Sequence, residues 1–186
     1  METKRCNWSK HPQEVEYHDA EWGVPVHDDK KHFEFIVLDT FQAGLSWLTI
    51  LKKRENFRAA FDGFNYHLIS KYGEGKICEL LADQGIIRNK LKINATIRNA
   101  RCFMDVQEEF GSFDKYIWSF VNGKTIINSW KDISEIPATS SESEAMSKDL
   151  KKRGFSFVGS TTCYAYMQAA GMVNDHETSC FRYSEV

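Results

Sequence analysis

Ala82-Asp83-Gln84-Gly85-Ile86-Ile87-Arg88-Asn89-Lys90 decides how this chain is built. Ile77, Leu80 and Leu81 lead into it at helical spacing, Gly85 tolerates a tight turn, and the chain beyond becomes basic with Arg88, Lys90 and Lys92. Ile93, Ile97, Ala100 and Met104 then step by four, three and four residues, the mark of an amphipathic helix. The spacing predicts two helices joined at Gly85. Such a turn can point backbone N–H groups at a phosphate, and the following helix adds its positive end. The basic side chains would supply the charge that recognition of a nucleic-acid backbone requires. A glycine corner with solvated lysines is the plainer alternative.

Helical patterning extends outward from this stretch. The 186 residues contain only three prolines, at positions 12, 25 and 137, so long segments are free of breakers. Asp28-Asp29 can start a helix that buries Phe33, Ile36, Val37, Thr40 and Phe41, and a second helix begins near Ser46 with Leu48, Leu51, Phe57 and Phe61 facing inward. Ser141-x-x-Glu144 reads as a capping box, and Gly154 ends the helix it opens. No strand pattern of comparable length is present, and residues 122–141 form the most polar stretch and the expected long connection. The expected class is all-α, as one domain over 1–186.

Composition narrows the functional classes. No apolar run is long enough to span a bilayer, and the first residues lead into no hydrophobic signal segment, so the expectation is a protein of the bacterial cytosol that makes no use of a membrane. Five cysteines without framework spacing fit free or metal-bound thiols better than a disulfide scaffold. The net charge of −2 means that any anionic partner must be held by a local patch.

Three groups of residues can carry chemistry. Trp8, Tyr17, Trp22 and Trp47 cluster in the first quarter; aromatic faces suit an extruded base, most of all a cationic one, and equally they fill cores. Asp39 lies between apolar neighbours at the margin of a helix face, where an acid is paired, functional or turned to water. Cys6 and His18 near one end, with His176 and Cys180 near the other, make the two-thiolate, two-imidazole set of a closed Zn²⁺ site. His176 and Cys180, four residues apart, would share one face of a helix. Buried cysteines with unrelated surface histidines remain the alternative.

Taken together, several segments resemble the DNA-3-methyladenine glycosylase I family. They are Arg5-Cys6-x-Trp8, Tyr17-His18-Asp19-x-Glu21-Trp22-Gly23-Val24-Pro25, Gln42-Ala43-Gly44-Leu45-Ser46-Trp47 and Leu51-Lys52-Lys53-Arg54-Glu55-Asn56. Gly85-Ile86-Ile87-Arg88, Ile117-Trp118-Ser119-Phe120-Val121-Asn122, Leu150-Lys151-Lys152-Arg153-Gly154-Phe155 and Val173-Asn174-Asp175-His176 continue the likeness in order along the chain.

The resemblance implies a helix-hairpin-helix glycosylase fold. It implies a helix-hairpin-helix lobe over roughly 31–135 and a second lobe from 1–30 with 136–186, joined by one structural zinc on Cys6, His18, His176 and Cys180. It implies a monomeric enzyme that removes 3-methyladenine from alkylated double-stranded DNA without cutting the strand. Tyr17, Trp22 and Trp47 would bind the base, Leu45 would meet the duplex, and Gly85, Ile87, Arg88 and Lys90 would hold the DNA backbone. One position departs from the pattern: the family presents a glutamate where this chain has Asp39, shorter by one methylene, a reach difference of about 1–1.5 Å. A binding protein with weakened chemistry, or a zinc-stabilised helical interaction protein, are the rival readings.

Overall fold

A computed structural model describes residues 3–186. Among these residues nine α-helices make nearly all of the regular structure. They are α1 (Pro12–Ala20), α2 (Asp29–Gln42), α3 (Trp47–Ala60), α4 (Tyr66–Ile69), α5 (Glu74–Ala82), α6 (Lys90–Phe110), α7 (Phe113–Trp118), α8 (Ser141–Lys152) and α9 (Ser160–Ala169).

The helix ends follow from short-range chemistry. Asp28 accepts the Lys31 N–H at the start of α2, Ser46 accepts the Thr49 N–H at the start of α3, and Asn89 accepts the Lys92 N–H at the start of α6. Gly111, at φ 84°, stops α6 in the left-handed conformation that glycine adopts without steric cost. The expected capping box of α8 sits one residue earlier than the sequence pattern placed it. Ser140, with an extended backbone, caps the helix and exchanges hydrogen bonds with Ser143, while Ser141 is already helical. Successive serines leave the choice of cap to backbone conformation.

Helix α2 is the axis of the fold. It packs against α3, α6, α7 and α9, and every residue from His32 to Phe41 is buried. Its polar members therefore need partners. His32 takes the Tyr166 hydroxyl at 2.6 Å and Asp114 at 3.2 Å, and Glu34 takes Arg54 and Arg58 at 2.8 Å each. Asp39 is the exception.

Two strands of two residues, β1 (Ile126–Ile127) and β2 (Val173–Asn174), pair in parallel with Ile126 opposite Val173. Segments this short have no periodicity for a sequence pattern to reveal. The pairing lays the polar 122–141 segment against the C-terminal segment, and makes it part of a wall, not a free connection. The two ends of the chain meet nearby. Val26 N–H donates to the Ala170 carbonyl at 3.0 Å, and a Cβ on Gly171 would lie 2.4 Å from the Val24 carbonyl carbon. Only glycine fits at that crossing.

Candidate active site and metal centre

Cys6, His18, His176 and Cys180 converge as the sequence predicts. All four are buried, and their ligand atoms lie within 4.8 Å of one another. The close sulfur–nitrogen separations are 3.4 Å for Cys180–His18, 3.5 Å for Cys6–His176 and 3.7 Å for Cys180–His176. Tetrahedral bonds of about 2.3 Å to sulfur and 2.0–2.1 Å to nitrogen place such atoms about 3.6 Å apart, so the four donors fit a tetrahedral metal ion.

Outer partners orient both imidazoles. His18 Nδ1 donates to Asp19 at 2.8 Å, and Arg5 in turn grips Asp19 at 2.7–2.9 Å. His176 Nε2 faces the Trp22 carbonyl at 3.1 Å, which can only accept, so this nitrogen carries the proton and Nδ1 is left for the metal. The expected helical face for His176 and Cys180 is not what joins them. Residues 175–180 are not helical; a tight turn closed by Cys180 N–H on the Glu177 carbonyl at 2.7 Å brings the pair together.

Beside this cluster lies a cavity of about 430 Å³. Tyr17 from α1, Asp39 from α2 and Trp47 at the start of α3 line it, with Trp8 and Trp22. The rings of Tyr17 and Trp47 stand 5.2 Å apart and tilted by 53°, and those of Trp8 and Trp22 meet edge to face at 5.1 Å. Asp39 is 4% exposed, and its Oδ2 is buried with no hydrogen-bond partner, as is Trp47 Nε1. Burial holds the Asp39 carboxyl well above the usual carboxylate range. An unpartnered acid in an aromatic cavity is a site built for a ligand that brings the missing donor.

The cavity also has walls that sequence reasoning missed. Ile133, Ile136, Pro137 and Ala138 close one side, and Tyr164 and Gln168 of α9 close another. Their residue types carry no distinctive signal, and only the path of the chain brings them here.

One ion-pair group ties together the three helices that carry Tyr17, Asp39 and Trp47. Arg54 of α3, 9% exposed, forks to both oxygens of Glu21 at 2.7 and 2.8 Å and to Glu34 of α2 at 2.8 Å. Glu21 ends α1. Burial would raise the Glu21 carboxyl, but hydrogen bonds and charge from Arg54 and Lys31 outweigh it and pull it down to about 2.

The helix-hairpin-helix residues lie apart from the cavity, in the turn between α5 and α6. Arg88 and Lys90 are exposed and Ile87 is half-buried. The Gly85 N–H is taken by Asp83 Oδ1 at 2.7 Å, so that amide is not free for a phosphate. Asn56 from α3 holds the Gly85 carbonyl at 3.2 Å, and Lys53 holds the carbonyls of Gln84 and Gly85 at 3.2 and 3.0 Å. Lys92, expected on the basic surface, is buried instead. Its Nζ donates to the carbonyls of Phe41 at 2.8 Å and Ala43 at 2.6 Å, where the end of α2 leaves acceptors unsatisfied. It thereby supports the turn that presents Leu45, 42% exposed, next to the cavity residue Trp47.

Comparison with known proteins agrees with this geometry. The family description methyladenine glycosylase matches residues 7–183. DNA-3-methyladenine glycosylase 1 of Escherichia coli (strain K12) is 49% identical over 181 residues, 97% of either chain. A crystal structure of 3-methyladenine DNA glycosylase I superimposes with a TM-score of 0.93 at 48% identity, covering 96% of this chain and 98% of that one. A variant of 3-methyladenine DNA glycosylase I in complex with 3-methyladenine superimposes with a TM-score of 0.92 at 33% identity, over 95% and 96% of the two chains.

Proposed function

The chain belongs to the methyladenine glycosylase family, and from that premise we propose how its residues divide the work of hydrolysing the N-glycosidic bond of 3-methyladenine in alkylated DNA. The observation that carries the assignment is Asp39, buried and unpartnered in an aromatic cavity.

The substrate's own charge shapes the chemistry. A base methylated at N3 is cationic, so the bond to its sugar is activated without a protonated leaving group. Tyr17 and Trp47 offer electron-rich faces, which attract a cation more strongly once water is excluded. A cation beside Asp39 also reverses the effect of burial, favouring the ionised carboxylate and a charge-assisted hydrogen bond to the exocyclic amine. Neutral adenine brings no such compensation. As the bond breaks, positive charge moves to the sugar and water attacks there, with the ionised Asp39 as the nearby counter-charge. The shorter reach of aspartate brings the base closer to α2 than a glutamate would.

No lysine lines the cavity among the described residues, and the Nζ of Lys92 is committed to two carbonyls. This supports a monofunctional hydrolase that leaves an abasic site and forms no Schiff base. Arg88, Lys90 and the amides near Ile87 hold the backbone of double-stranded DNA, and Leu45 occupies the duplex where the base has left. The metal on Cys6, His18, His176 and Cys180 is Zn²⁺, one per monomeric chain; four protein donors leave it no open position, so it supplies structure.

Incubation with methylated DNA followed by chromatography of the released bases tests the proposal. Free 3-methyladenine and an equal number of abasic sites are expected, and release of no base overturns it.

A further inference from the structure

Asp175 is 1% exposed and receives four donors. Asn128 Nδ2 and Trp130 Nε1 reach its Oδ1 at 2.7 Å each, and the Tyr164 hydroxyl and Gln168 Nε2 reach its Oδ2 at 2.8 Å each. The Trp130 indole N–H can only donate, which makes Oδ1 an acceptor, and as an ionised carboxylate Asp175 accepts at Oδ2 as well. That settles which end of the Gln168 amide faces it. The reverse orientation would set the amide oxygen against a carboxylate, two acceptors with no proton between them.

Gln168 lines the same cavity as Asp39. With Nε2 held by Asp175, its Oε1 is the end of the amide left over, and among the described residues no donor reaches it. The cavity thus offers a second, neutral acceptor whose polarity is set from behind. A 3-methyladenine base has a single donor group, the exocyclic N6 amine, which carries two hydrogens. A methylated guanine has a carbonyl oxygen at the corresponding place, itself an acceptor.

We infer that Gln168 is a specificity-determining residue: its Oε1 accepts one N6 hydrogen while Asp39 accepts the other, and Asp175 is the positioning residue that keeps the amide from turning over. This deepens the proposed function and rests on it. A base with a carbonyl at that position meets two acceptors and leaves both unpaired, a mismatch that buried polar sites reject strongly.

The test compares wild type with Gln168→Met, which keeps the length but cannot accept, and with Asn128→Ala, which removes another donor to Asp175 from outside the cavity without touching the amide. Release of 3-methyladenine and 3-methylguanine from the same methylated DNA is measured, together with binding of both free bases and the thermal midpoint of each protein. In Gln168→Met the preference for 3-methyladenine over 3-methylguanine is expected to fall about tenfold, in excision and in free-base binding. Asn128→Ala should keep the wild-type ratio. A folded Gln168→Met protein with the wild-type ratio, or with equal losses for both bases, overturns the inference. A wild type that releases neither base removes the proposed function instead, and the free-base preference still decides the role of Gln168.

Discussion

His176 Nε2 lies 3.1 Å from the carbonyl oxygen of Trp22, so one hydrogen bond joins a metal-ligand candidate to a wall of the base cavity. Tyr17 and His18, adjacent in α1, make the same connection covalently: one faces the cavity and the other the cluster. The cysteine–histidine cluster and the cavity cannot relax independently.

Removing the metal is therefore expected to act on fold and activity together. Elemental analysis should find one zinc per chain, and chelation or Cys180→Ala should lower the urea midpoint and abolish excision. Asp19→Asn, which weakens the outer support of His18, should reduce metal affinity by about 10–100-fold. Full excision by a verified metal-free, folded protein would show that the cluster does not support the cavity.

Asp39 sets stability against activity. Burial raises its folded-state pKa above the unfolded value, so the folded protein holds a proton that the unfolded chain releases. The favourable contribution is present at low pH and is lost as pH rises from about 4, the unfolded value, towards the raised one. Asp39→Asn keeps the shape without the titration. Urea unfolding should find the variant at least as stable as wild type at pH 7, with the gap closing near pH 4, while excision falls about 100-fold. A variant less stable than wild type at pH 7 would contradict the unpartnered carboxyl.

Arg54 provides a complementary case. Arg54→Met removes the guanidinium that bridges Glu21 and Glu34 and leaves them with Lys31 between them and Arg58 on Glu34, a loss at the lower end of about 3–5 kcal/mol by urea unfolding. Arg54→Lys should recover only part of it, because an ammonium lacks the planar fork that holds both oxygens of Glu21 while Nε holds Glu34. Glu21 has a depressed pKa, so its contribution is present above about pH 4.5 and is lost as pH falls through about 2. Acid unfolding in that window, weaker in Arg54→Met than in wild type because only Lys31 still holds Glu21, checks the sign.

The exposed bases of the hairpin should behave differently. Arg88→Ala and Lys90→Ala are expected to weaken binding to duplexes of any sequence. Each should also reduce the dependence on salt by about one unit of slope for every phosphate the variant no longer neutralises. Binding of free 3-methyladenine, measured by titration, should be unchanged, since neither side chain reaches the cavity. Weaker affinity for the free base would place them elsewhere.

The helices were legible because their determinants are local. Asp28, Ser46 and Asn89 cap the helices they precede, and the spacing of Phe33, Ile36, Val37 and Phe41 names core residues of α2, although the packing around it buries its other faces as well. The identities of Tyr17, Trp47 and the four metal-ligand candidates were likewise readable, as residue types in segments resembling a known family.

What a single segment cannot encode is the neighbour that another segment brings. Lys92 reads as one more basic residue after Gly85, yet the end of α2 places two carbonyls on its amine and takes it inside. Residues 133–138 read as polar connection and wall the cavity, while Tyr164 and Gln168, whose stretch carries no distinctive signal, complete it. Asp39 could have faced water or protein; burial without a donor was decided by the helices packed around α2. The sequence by itself determined the long helices, most of the caps it names and the chemical types available, because these depend on contacts within a few residues, and the α8 cap was left to backbone conformation. Tertiary structure alone decided which buried groups are satisfied and which are left open, since desolvation and partnership depend on residues far apart along the chain.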